Sequence, residues 1–332
     1  MRDNFRIAIV GSTGLVGRKI REILQERQLP VGEYVLFASK RSAGQKIEFL
    51  GREYVVQELK EDSFDSGFDY AIFSAGGETS RHFAPIAVEK GCVVIDNSSA
   101  WRMDPNVPLV VPEVNSAALQ NHRGIIANPN CSTIQAVVAL KPLDDAYSIR
   151  RVIYSTYQAV SGAGKPGVDD LKNGLRGLPP IKFPYPIVNN CLPQIDVFLN
   201  NGYTKEEEKM MAETRKILGK PYLRITATTV RVPVLNSHSE SINIEFEKPF
   251  DIEEVKNLLK KSLGIIVQDD PAKLLYPLAT NATGHDEVLV GRIRRDDSIE
   301  NGLNIWVVAD NLRKGAATNA VQILETLIKE EK

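Results

Sequence analysis

The sequence predicts an α/β protein in which a doubly wound parallel sheet is followed by a second, α+β domain. In the first third of the chain, short β-branched runs alternate with helix-like stretches, which is typical of a parallel sheet with helices on both faces. After about residue 150, longer strands alternate apolar with polar residues, as expected for a sheet with one covered face. The length of 332 residues fits two domains of roughly 150 residues each.

The elements of the first third follow one another in βα order. Strands are predicted at residues 6–10, 34–38, 70–74, 93–96 and 125–127. A helix is predicted over residues 15–28, because apolar side chains such as Leu15, Ile20 and Leu24 recur at helical spacing.

The second part is predicted from the change in period. Strands are expected at residues 150–160, 225–235, 241–247 and 303–309, and helices at 204–218, 252–263 and 316–329. The closing helix is expected to pack back on the first domain, which would make that domain discontinuous.

Composition and charge exclude several classes of function. Lys plus Arg number 41 and Asp plus Glu 42, so the net charge is -1 and gives no footprint of a nucleic-acid-binding protein. No apolar run is long enough to span a bilayer, and the first residues contain no signal-peptide core. We therefore expect a cytoplasmic protein that binds neither nucleic acid nor membrane.

The sequence contains three cysteines, Cys92, Cys131 and Cys191. Because their number is small and odd, no disulfide framework is predicted. In a reducing compartment any functional cysteine acts as a free thiol. Cys92 heads an apolar strand and is expected in the core. No His, Cys or Asp cluster has the spacing of metal ligands, so no metal is predicted.

A glycine-rich loop connects the first predicted strand to the first predicted helix. It reads Gly11-Ser12-Thr13-Gly14-Leu15-Val16-Gly17. Glycines allow a tight turn and close approach of a pyrophosphate, whose charge then lies at the helix N-terminus. The loop therefore indicates a dinucleotide site that involves Gly11, Thr13, Gly14, Leu15 and Val16. The alternative is a tight turn that binds nothing.

The end of the second strand indicates which dinucleotide is bound. A site for NAD usually has a carboxylate there, which accepts hydrogen bonds from the ribose. Here Ser39, Lys40, Arg41 and Ser42 follow the strand, and a guanidinium with hydroxyls suits a 2′-phosphate. NADP is therefore favoured over NAD, with Ser39, Arg41 and Ser42 as candidate contacts. A solvated basic loop is the alternative.

Cys131 lies in Asn128-Pro129-Asn130-Cys131-Ser132-Thr133, just before an apolar helical run. Free N–H groups and the helix dipole at an N-terminus stabilise a thiolate. The same N–H groups are expected to hold an oxyanion on a carbonyl that the sulfur attacks. The alternative is a small buried side chain with no reactivity.

Four histidines are available to transfer protons near such a thiol, and His238 is the candidate. It follows a strongly apolar strand that also carries Arg231, a charge that is costly there unless it meets an anion. Arg231 and His238 are seven positions apart, a spacing that would place them on opposite faces of an unbroken strand. Pro233, however, can interrupt that strand. A structural histidine is the alternative.

Glu206 and Lys209 share one face of a predicted helix, and Glu213 follows one turn later. From the residues alone, a solvated face is the preferred interpretation of this charged run. Arg102 likewise is interpreted as an ordinary surface arginine.

The chain nevertheless resembles a known family. Five segments, GSTGLVG, NSSAWR, NPNCST, YQAVSGAG and RVPVLNSHS, in this order and spacing, are similar to those of bacterial aspartate-β-semialdehyde dehydrogenases, and the resemblance extends from residue 7 to about 325. It implies an NADP-dependent reductase of β-aspartyl phosphate with a Rossmann domain and a dimerising domain like the C-terminal domain of glyceraldehyde-3-phosphate dehydrogenase. It implies a homodimer that serves lysine (diaminopimelate), methionine, threonine and isoleucine biosynthesis. The Rossmann domain is expected at 1–128, completed by 315–332, and the catalytic and dimerisation domain at 129–314.

The resemblance also implies roles for individual residues. Cys131 would form an acyl-thioester, His238 would be the general acid and base, and Gln158 would orient the acyl group. The other roles fall into two sets: the substrate would be held by Arg102, Asn130, Glu206, Lys209 and Arg231, and the cofactor would be contacted by Ser161, Gly162 and Asn311 besides the first glycine loop.

Two other functions compete with this one. An N-acetyl-glutamyl-phosphate reductase would share the fold and the thioester chemistry, but an acetylated nitrogen does not need a carboxylate such as Glu206. A non-catalytic NADP-binding sensor would use the glycine loop alone and would leave Cys131, Gln158, Arg231 and His238 without a role.

Overall fold

The computed structural model describes residues 4–331. Within them, the chain divides into two compact units. The first unit comprises the chain up to Pro129 and again from Ala316 onward. The second unit is Asn130–Gly315. The first unit is predicted to bind the cofactor, and the second to carry out catalysis and dimerisation. These roles stay predictions.

The first unit is built on a parallel sheet, as the βα alternation predicts. Its strands are β1 (Phe5–Val10), β2 (Val31–Ala38), β3 (Lys46–Phe49), β4 (Arg52–Val55), β5 (Gln57–Glu58), β6 (Tyr70–Phe73), β7 (Val93–Asp96) and β8 (Ile125–Ala127), and its first helices are α1 (Leu15–Arg27), α2 (Gly77–Glu89) and α3 (Pro112–Asn115). The main sheet has the order β5-β2-β1-β6-β7-β8 with every neighbouring pair parallel. β3 and β4 form a separate antiparallel pair that the sequence analysis missed.

The second unit contains a mixed sheet, with strands parallel at both edges and antiparallel between them. Its elements in chain order are α4 (Cys131–Tyr147), β9 (Ile149–Gln158), α5 (Gly164–Gly174), α6 (Lys205–Leu218), β10 (Arg224–Arg231), β11 (His238–Phe246), α7 (Ile252–Lys261), β12 (Ile265–Val267), α8 (Ala279–Ala282), β13 (Val288–Asp296) and β14 (Gly302–Ala309). The strand order is β10-β9-β11-β14-β13-β12. The predicted α/β class with a second, α+β domain is thereby confirmed.

Alternating burial along β11 shows that one face of this sheet is covered. The helix α4 contacts β9, β11 and β14, and α6 contacts β10. α4 is buried around most of its circumference from Ser132 to Leu140, as a helix in the centre of a unit must be. The covered face therefore brings side chains of α4 and α6 against the sheet.

The closing helix α9 (Thr318–Glu330) belongs to the first unit. Its apolar side chains share one buried cluster with β1 and α1. The cluster explains why the helix forms where it does: apolar residues at helical spacing, such as Ile323, Leu324 and Leu327, find a matching apolar surface in the same unit.

The predicted strand 225–235 is too long, and its successor 241–247 starts too late. β10 ends at Arg231 and β11 begins at His238. Pro233 has no N–H for a ladder, and Ser237 adopts a positive φ of 71°, so the intervening residues form a loop. Arg231 and His238 therefore lie on different strands.

Within residues 4–331, no helix combines the length and the apolar composition needed to cross a membrane.

Candidate active site

The candidate nucleophile is the first residue of α4. The side chain of Asn130 caps this helix, since its Oδ1 accepts hydrogen bonds from the N–H groups of Ser132 (3.0 Å) and Thr133 (3.3 Å). Cys131 is half-buried and the predicted N-terminal position is confirmed. The helix dipole thus acts on this sulfur as the sequence predicted.

Two of the helix N–H groups that the sequence offered for an oxyanion are used by the cap. The amides of Ser132 and Thr133 are already engaged by Asn130. An amide that donates to a fixed capping oxygen is not open to a reacting oxygen. These two amides are therefore not available to an oxyanion at Cys131.

The other cysteines differ from Cys131 in setting. Cys92 is buried in the core of the first unit, as predicted, and burial raises the pKa of its thiol to about 12. Cys191 is exposed.

Glu206 contacts three of the other predicted site residues. Its Oε1 accepts hydrogen bonds from the side-chain amides of Asn130 (2.8 Å) and Gln158 (3.2 Å), and its Oε2 lies 3.3 Å from Nζ of Lys209. Glu206 is 5% exposed. The solvated-face interpretation of this charged run is therefore wrong: helix α6 turns the carboxylate inward.

The same face of α6 provides a second contact to the cap. The backbone N–H of Asn130 donates to Oε2 of Glu213 over 2.7 Å, and Glu213 is 1% exposed. Its place on the helix face is predicted from the sequence, but no role is. The spacing of residues 206, 209 and 213 was the signal that would have identified it.

Lys209 lies between two carboxylates. Its Nζ contacts Oδ2 of Asp196 at 2.7 Å besides Glu206. Burial acts to lower the pKa of Lys209, but the two carboxylates outweigh it and raise that pKa. Lys209 is therefore a stable cation, and Asp196 is a partner that the sequence analysis did not find.

The carboxyl ends of β9 and β10 place two more predicted residues side by side. Arg231 pairs with Gln158 in the strand register. Oε1 of Gln158 accepts from the hydroxyl of Thr156 at 3.0 Å, so both ends of this amide are oriented by the protein. The guanidinium of Arg231 donates to the carbonyl of Ala159 at 2.7 Å.

Arg231 is a buried cation near the thiol. It is 5% exposed, and burial lowers the pKa of its guanidinium while the charges of Glu206 and Cys131 act to raise it. A buried guanidinium of this kind is suited to a carboxylate, which it can bind with two hydrogen bonds.

His238 begins β11 and is completely buried. Its Nδ1 accepts a hydrogen bond from the backbone N–H of Ala159 at 2.9 Å, and Gln135 of α4 donates to its backbone carbonyl. Burial, and then the positive charge of Arg231, hold the pKa of the imidazole well below its usual range. His238 is therefore a neutral imidazole at physiological pH.

The second glycine loop adjoins Arg231 and His238. A Cβ on Gly162 would lie 2.9 Å from a guanidinium nitrogen of Arg231 and 3.2 Å from Nε2 of His238. Only glycine leaves these two groups open at this point. Ser161 and Asn311, the other residues predicted with Gly162, hydrogen-bond to each other, and Asn311 also accepts from the N–H of Ser237 at 2.8 Å.

Gly315 is a further close neighbour that the sequence analysis missed. A Cβ on Gly315 would lie 2.9 Å from Cβ of Cys131. No motif in the sequence indicated this approach, because it depends on how the end of the second unit folds back to α4.

Arg102 belongs to the first unit, where it is 8% exposed. Its guanidinium donates to the carbonyls of Asn128 (2.9 Å) and Asn97 (3.1 Å). The interpretation as an ordinary surface arginine is therefore wrong.

The first glycine loop has the backbone geometry that a dinucleotide needs. Gly11 has a φ of 82°, and a Cβ there would lie 2.3 Å from the carbonyl oxygen of Ser74. A Cβ on Gly17 would lie 2.2 Å from the carbonyl oxygen of Gly11. Gly14 is the exposed N-cap of α1 and provides no side-chain cap, so the N-terminal turn with Leu15 and Val16 presents amide groups suited to a phosphate.

The basic turn after β2 is exposed at Ser39, Lys40 and Arg41, while Ser42 is half-buried. The N–H of Ser42 donates to the carbonyl of Ser39 at 2.8 Å, which closes the turn. These residues directly follow the carboxyl end of the strand next to β1, where a dinucleotide ribose is bound in such sheets. The first unit therefore fits a nicotinamide dinucleotide.

No group of three or more His, Cys, Asp or Glu side chains suited to a metal ion occurs within residues 4–331.

Comparisons with known proteins agree over nearly the whole chain. Family models described as "Semialdehyde dehydrogenase, NAD binding domain" and "Semialdehyde dehydrogenase, dimerisation domain" match residues 6–122 and 140–314. A protein from Aquifex aeolicus named aspartate-semialdehyde dehydrogenase is 55% identical, with 98% of each chain covered.

Solved structures give the same result. Aspartate semialdehyde dehydrogenase II from Vibrio cholerae, complexed with ASA, superimposes with a TM-score of 0.94 at 50% identity and 98% coverage of each chain. Aspartate semialdehyde dehydrogenase with NADP from Candida albicans gives a TM-score of 0.77 at 26% identity, again with 98% of each chain covered.

Proposed function

The chain belongs to the aspartate-semialdehyde dehydrogenase family and is an oxidoreductase of that kind, and from this premise we propose its substrate, cofactor and covalent route. It reduces L-4-aspartyl phosphate to L-aspartate 4-semialdehyde and phosphate, with NADP as its cofactor and Cys131 as nucleophile. The observation that carries the proposal is the placement of Cys131 at the N-terminus of α4, beside the buried cation Arg231.

The first step is attack by the Cys131 thiolate on the acyl carbon, after which phosphate leaves and an acyl-thioester remains. The dipole of α4 favours the thiolate by roughly 0.3–1 kcal/mol, which raises its population several-fold. A thioester accepts hydride more readily than a carboxylate does, so covalent capture keeps the carbonyl reactive.

The amino-acid end of the substrate is recognised by opposite charges. Arg231 binds the α-carboxylate, for which its buried guanidinium is suited, and Glu206 binds the ammonium. Lys209 and Arg102 bind phosphate. Asn130 helps to hold the phosphate, and Gln158 orients the acyl group at the sulfur; both side-chain amides donate to Glu206.

The first unit holds the cofactor. Gly11, Thr13 and Gly14 with the first turn of α1 bind the pyrophosphate, and Ser39, Arg41 and Ser42 bind the 2′-phosphate. Ser161, Gly162 and Asn311 of the second unit contact its nicotinamide end. When bound, the reduced nicotinamide supplies the hydride. The Vibrio cholerae structure with ASA and the Candida albicans structure with NADP support this choice of ligands.

The family places the chain in amino-acid biosynthesis. We propose that its product serves the lysine (diaminopimelate), methionine, threonine and isoleucine routes in the cytoplasm. We also propose a homodimer, because the model that matches residues 140–314 is described as a dimerisation domain.

The covalent route is tested with Cys131→Ser and, as a matched control, Cys191→Ser at an exposed thiol. Wild-type protein given aspartate semialdehyde, phosphate and NADP is expected to produce NADPH absorbance. Cys131→Ser should abolish this turnover, while Cys191→Ser should leave it unchanged. Near-normal turnover in Cys131→Ser would rule out the thioester.

The same assay distinguishes the competing functions. N-acetyl-glutamate semialdehyde should be a poor substrate, since its acetylated nitrogen does not need Glu206. A preference for that aldehyde would make the chain an N-acetyl-glutamyl-phosphate reductase. NADP binding with no turnover of either aldehyde would indicate a sensor.

The cofactor is tested with Arg41→Ala. Loss of one charged contact to the 2′-phosphate should raise the KM for NADP by about 10- to 100-fold and leave the KM for NAD unchanged. Lys46→Ala, which removes an exposed cation paired with Glu53 in the same unit, is the control and should change neither. Equal effects on NADP and NAD would contradict the assignment of Arg41.

A further inference from the structure

Two peptide carbonyls determine where the guanidinium of Arg102 lies. Nε of Arg102 donates to the carbonyl of Asn128 at 2.9 Å, and Nη2 donates to the carbonyl of Asn97 at 3.1 Å. Asn97 directly follows β7 and Asn128 directly follows β8, so both carbonyls lie at the carboxyl edge of the parallel sheet, where such sheets bind their ligands. Because the guanidinium is planar, its orientation depends on how these two strand ends are held.

The side chains of the same two residues are linked to each other and to the closing helix α9. Nδ2 of Asn128 donates to Oδ1 of Asn97, and Oδ1 of Asn128 accepts from Nδ2 of Asn319 at 2.7 Å. Asn319 lies in the first turn of α9, and both it and Asn128 are completely buried. We call Asn97, Asn128 and Asn319 the asparagine row. It connects α9 to both carbonyls that hold Arg102.

Two further peptide carbonyls determine the direction of the hydrogen bonds in the asparagine row. Nδ2 of Asn319 also donates to the carbonyl of Val110 at 2.9 Å, and Nδ2 of Asn128 also donates to the carbonyl of Ala316 at 3.2 Å. A carbonyl oxygen only accepts hydrogen bonds, so each amide must direct its nitrogen towards that carbonyl. Asn319 is therefore the donor, and Asn128 the acceptor, in the bond between them.

The packing of α9 does not by itself require buried amides. Apolar side chains of α9, such as Ile323 and Leu327, already bind the helix to the core of the first unit. Buried amides cost free energy unless they are hydrogen-bonded, and apolar side chains would fill the same space without that cost. A buried network whose members are all hydrogen-bonded instead specifies one arrangement of the groups that it joins. Here the charged group in that arrangement is Arg102.

We propose that Asn319 is a positioning residue for substrate phosphate, an inference that rests on the assignment of Arg102 to phosphate in the proposed function. Through Asn128 and Asn97, Asn319 holds the guanidinium of Arg102 in the orientation that binds phosphate. Asn319 itself contacts neither substrate nor cofactor. Its effect on the reaction is therefore confined to the affinity for phosphate.

The first test is the kinetics of Asn319→Ala, with aspartate semialdehyde, phosphate and NADP varied in turn. Arg102 keeps its charge but loses its fixed orientation, so the KM for phosphate should rise about 3- to 10-fold. The KM values for aspartate semialdehyde and NADP should stay as in wild type. A fraction of unfolded protein would lower the rate and leave every KM unchanged. Equal rises in all three KM values, or no rise in that for phosphate, would overturn the inference.

Gln322→Ala is the matched control, one turn further along α9. Nε2 of Gln322 donates to Oε1 of Glu113 in α3 at 2.9 Å, so this variant also removes an amide that joins α9 to another segment. Its KM for phosphate should equal that of wild type. A rise as large as in Asn319→Ala would show that any weakening of α9 has this effect, and would contradict a specific role for Asn319.

Asn319→Asp keeps the size of the side chain and changes only its donors. A carboxyl group has at most one hydrogen to donate, so the bonds to Asn128 and Val110 cannot both be kept. The KM for phosphate should therefore rise as it does in Asn319→Ala. A side chain that only fills space would be replaced without effect, so a wild-type KM for phosphate in Asn319→Asp would refute the positioning role.

A double-mutant cycle shows whether Asn319 acts through Arg102. Arg102→Ala should raise the KM for phosphate about 10- to 100-fold, and adding Asn319→Ala should raise it no further, because the positioned group is gone. Additive effects would overturn the inference and leave Arg102 as a phosphate ligand. An unchanged KM in Arg102→Ala would remove Arg102 from the proposed phosphate site, and the role of Asn319 with it.

Calorimetric titration of the NADP-loaded protein with inorganic phosphate gives the same comparison without turnover. The dissociation constant for phosphate should rise in Asn319→Ala and Asn319→Asp and stay unchanged in Gln322→Ala. This pattern would stand even if Cys131→Ser showed that the thioester route is wrong. Equal dissociation constants in wild type and all three variants would refute the role of Asn319 and leave the thioester route intact.

Discussion

Asn130 shows how much of this site one residue organises. Its Oδ1 caps α4, its Nδ2 donates to Glu206, and its backbone N–H donates to Glu213. The resemblance assigns it to substrate phosphate, but most of its hydrogen-bonding capacity is used to hold the residue before Cys131. Its contacts therefore position the thiol.

Asn130→Ala should lower the free energy of unfolding by about 1–2 kcal/mol, because two amides of α4 lose their cap. The rate at which a thiol reagent alkylates Cys131 should also change. Asp251→Ala is the matched control, since Asp251 caps α7 through the N–H groups of Glu253 and Glu254.

Urea denaturation and alkylation rates measure the two effects. Asp251→Ala should cost a similar free energy but leave alkylation of Cys131 unchanged. If both variants altered that alkylation equally, Asn130 would have no specific effect on the thiol.

The buried imidazole of His238 predicts how stability depends on pH. Its folded pKa is lowered, so below the unfolded value of about 6.5 the unfolded chain binds a proton that the folded chain does not. The stability contribution is present above pH 6.5 and is lost as the pH falls towards the folded pKa. The slope from this one group approaches about 1.4 kcal/mol per pH unit.

Urea unfolding at several pH values from 7 to 5 measures this slope. His238→Gln should have a smaller slope than wild type, whereas His82→Asn, at an exposed site, should have the wild-type slope. A wild-type slope in His238→Gln would show that this ring does not titrate on unfolding.

At the scale of elements, the candidate site residues lie where strands and helices begin or end, and the regular elements determine their positions. β9 and β10 end at Gln158 and Arg231, β11 begins at His238, and α4 begins at Cys131. Because β9 and β10 are parallel and β11 is antiparallel to β9, the three strand termini meet at one end of the sheet. Glu206, which accepts from both Asn130 and Gln158, links the start of α4 to that end. The loop between Arg231 and His238 makes this possible.

The connection from β1 to α1 permits a matched glycine test. Gly17→Ala places a Cβ 2.2 Å from the carbonyl oxygen of Gly11, so the loop must move. We expect a loss of about 1–3 kcal/mol in the free energy of unfolding, as for overpacking, together with weaker NADP binding. Gly14→Ala meets only an ordinary contact at 3.5 Å and should fold as wild type.

Thermal unfolding and cofactor titration by fluorescence separate the two variants. Gly14→Ala should weaken NADP binding without a loss of stability, because its methyl group lies where the backbone approaches the phosphates. Unchanged NADP affinity in Gly14→Ala would place the cofactor elsewhere.

At the scale of the whole molecule, the first unit is assembled from both ends of the chain. Residues of α9, including Val321, Leu324 and Ile328, lie in the cluster that contains Phe5 and Ile20. This unit therefore cannot complete its core until α9 has been synthesised.

Leu324→Ala should lower the stability of the first unit by about 2–5 kcal/mol, the usual cost of truncating a fully buried leucine. Hydrogen exchange should show the loss of protection in β1, α1 and α9, with α4 and α6 of the second unit less affected. Leu263→Ala, at a side chain 78% exposed, is the control and should change little. Loss of protection confined to α9 would show that this helix is not part of the core.

The sequence by itself determined the class of fold and most of the elements, because these follow from local hydrophobic period and from glycine placement. It also predicted the position of Cys131 at a helix N-terminus, since the residues that determine that position are neighbours in the chain. The resemblance of five segments identified the family, which the comparisons confirmed.

Only the tertiary structure decided what each polar residue faces. Glu206 was expected in solvent and lies buried, and two of the helix amides expected for an oxyanion are capped by Asn130. Gly315 approaches Cys131 although no motif in the sequence indicates it. These outcomes depend on contacts between residues far apart in the chain. A period or a motif specifies the face on which a side chain lies, but the partner across that face is set by packing.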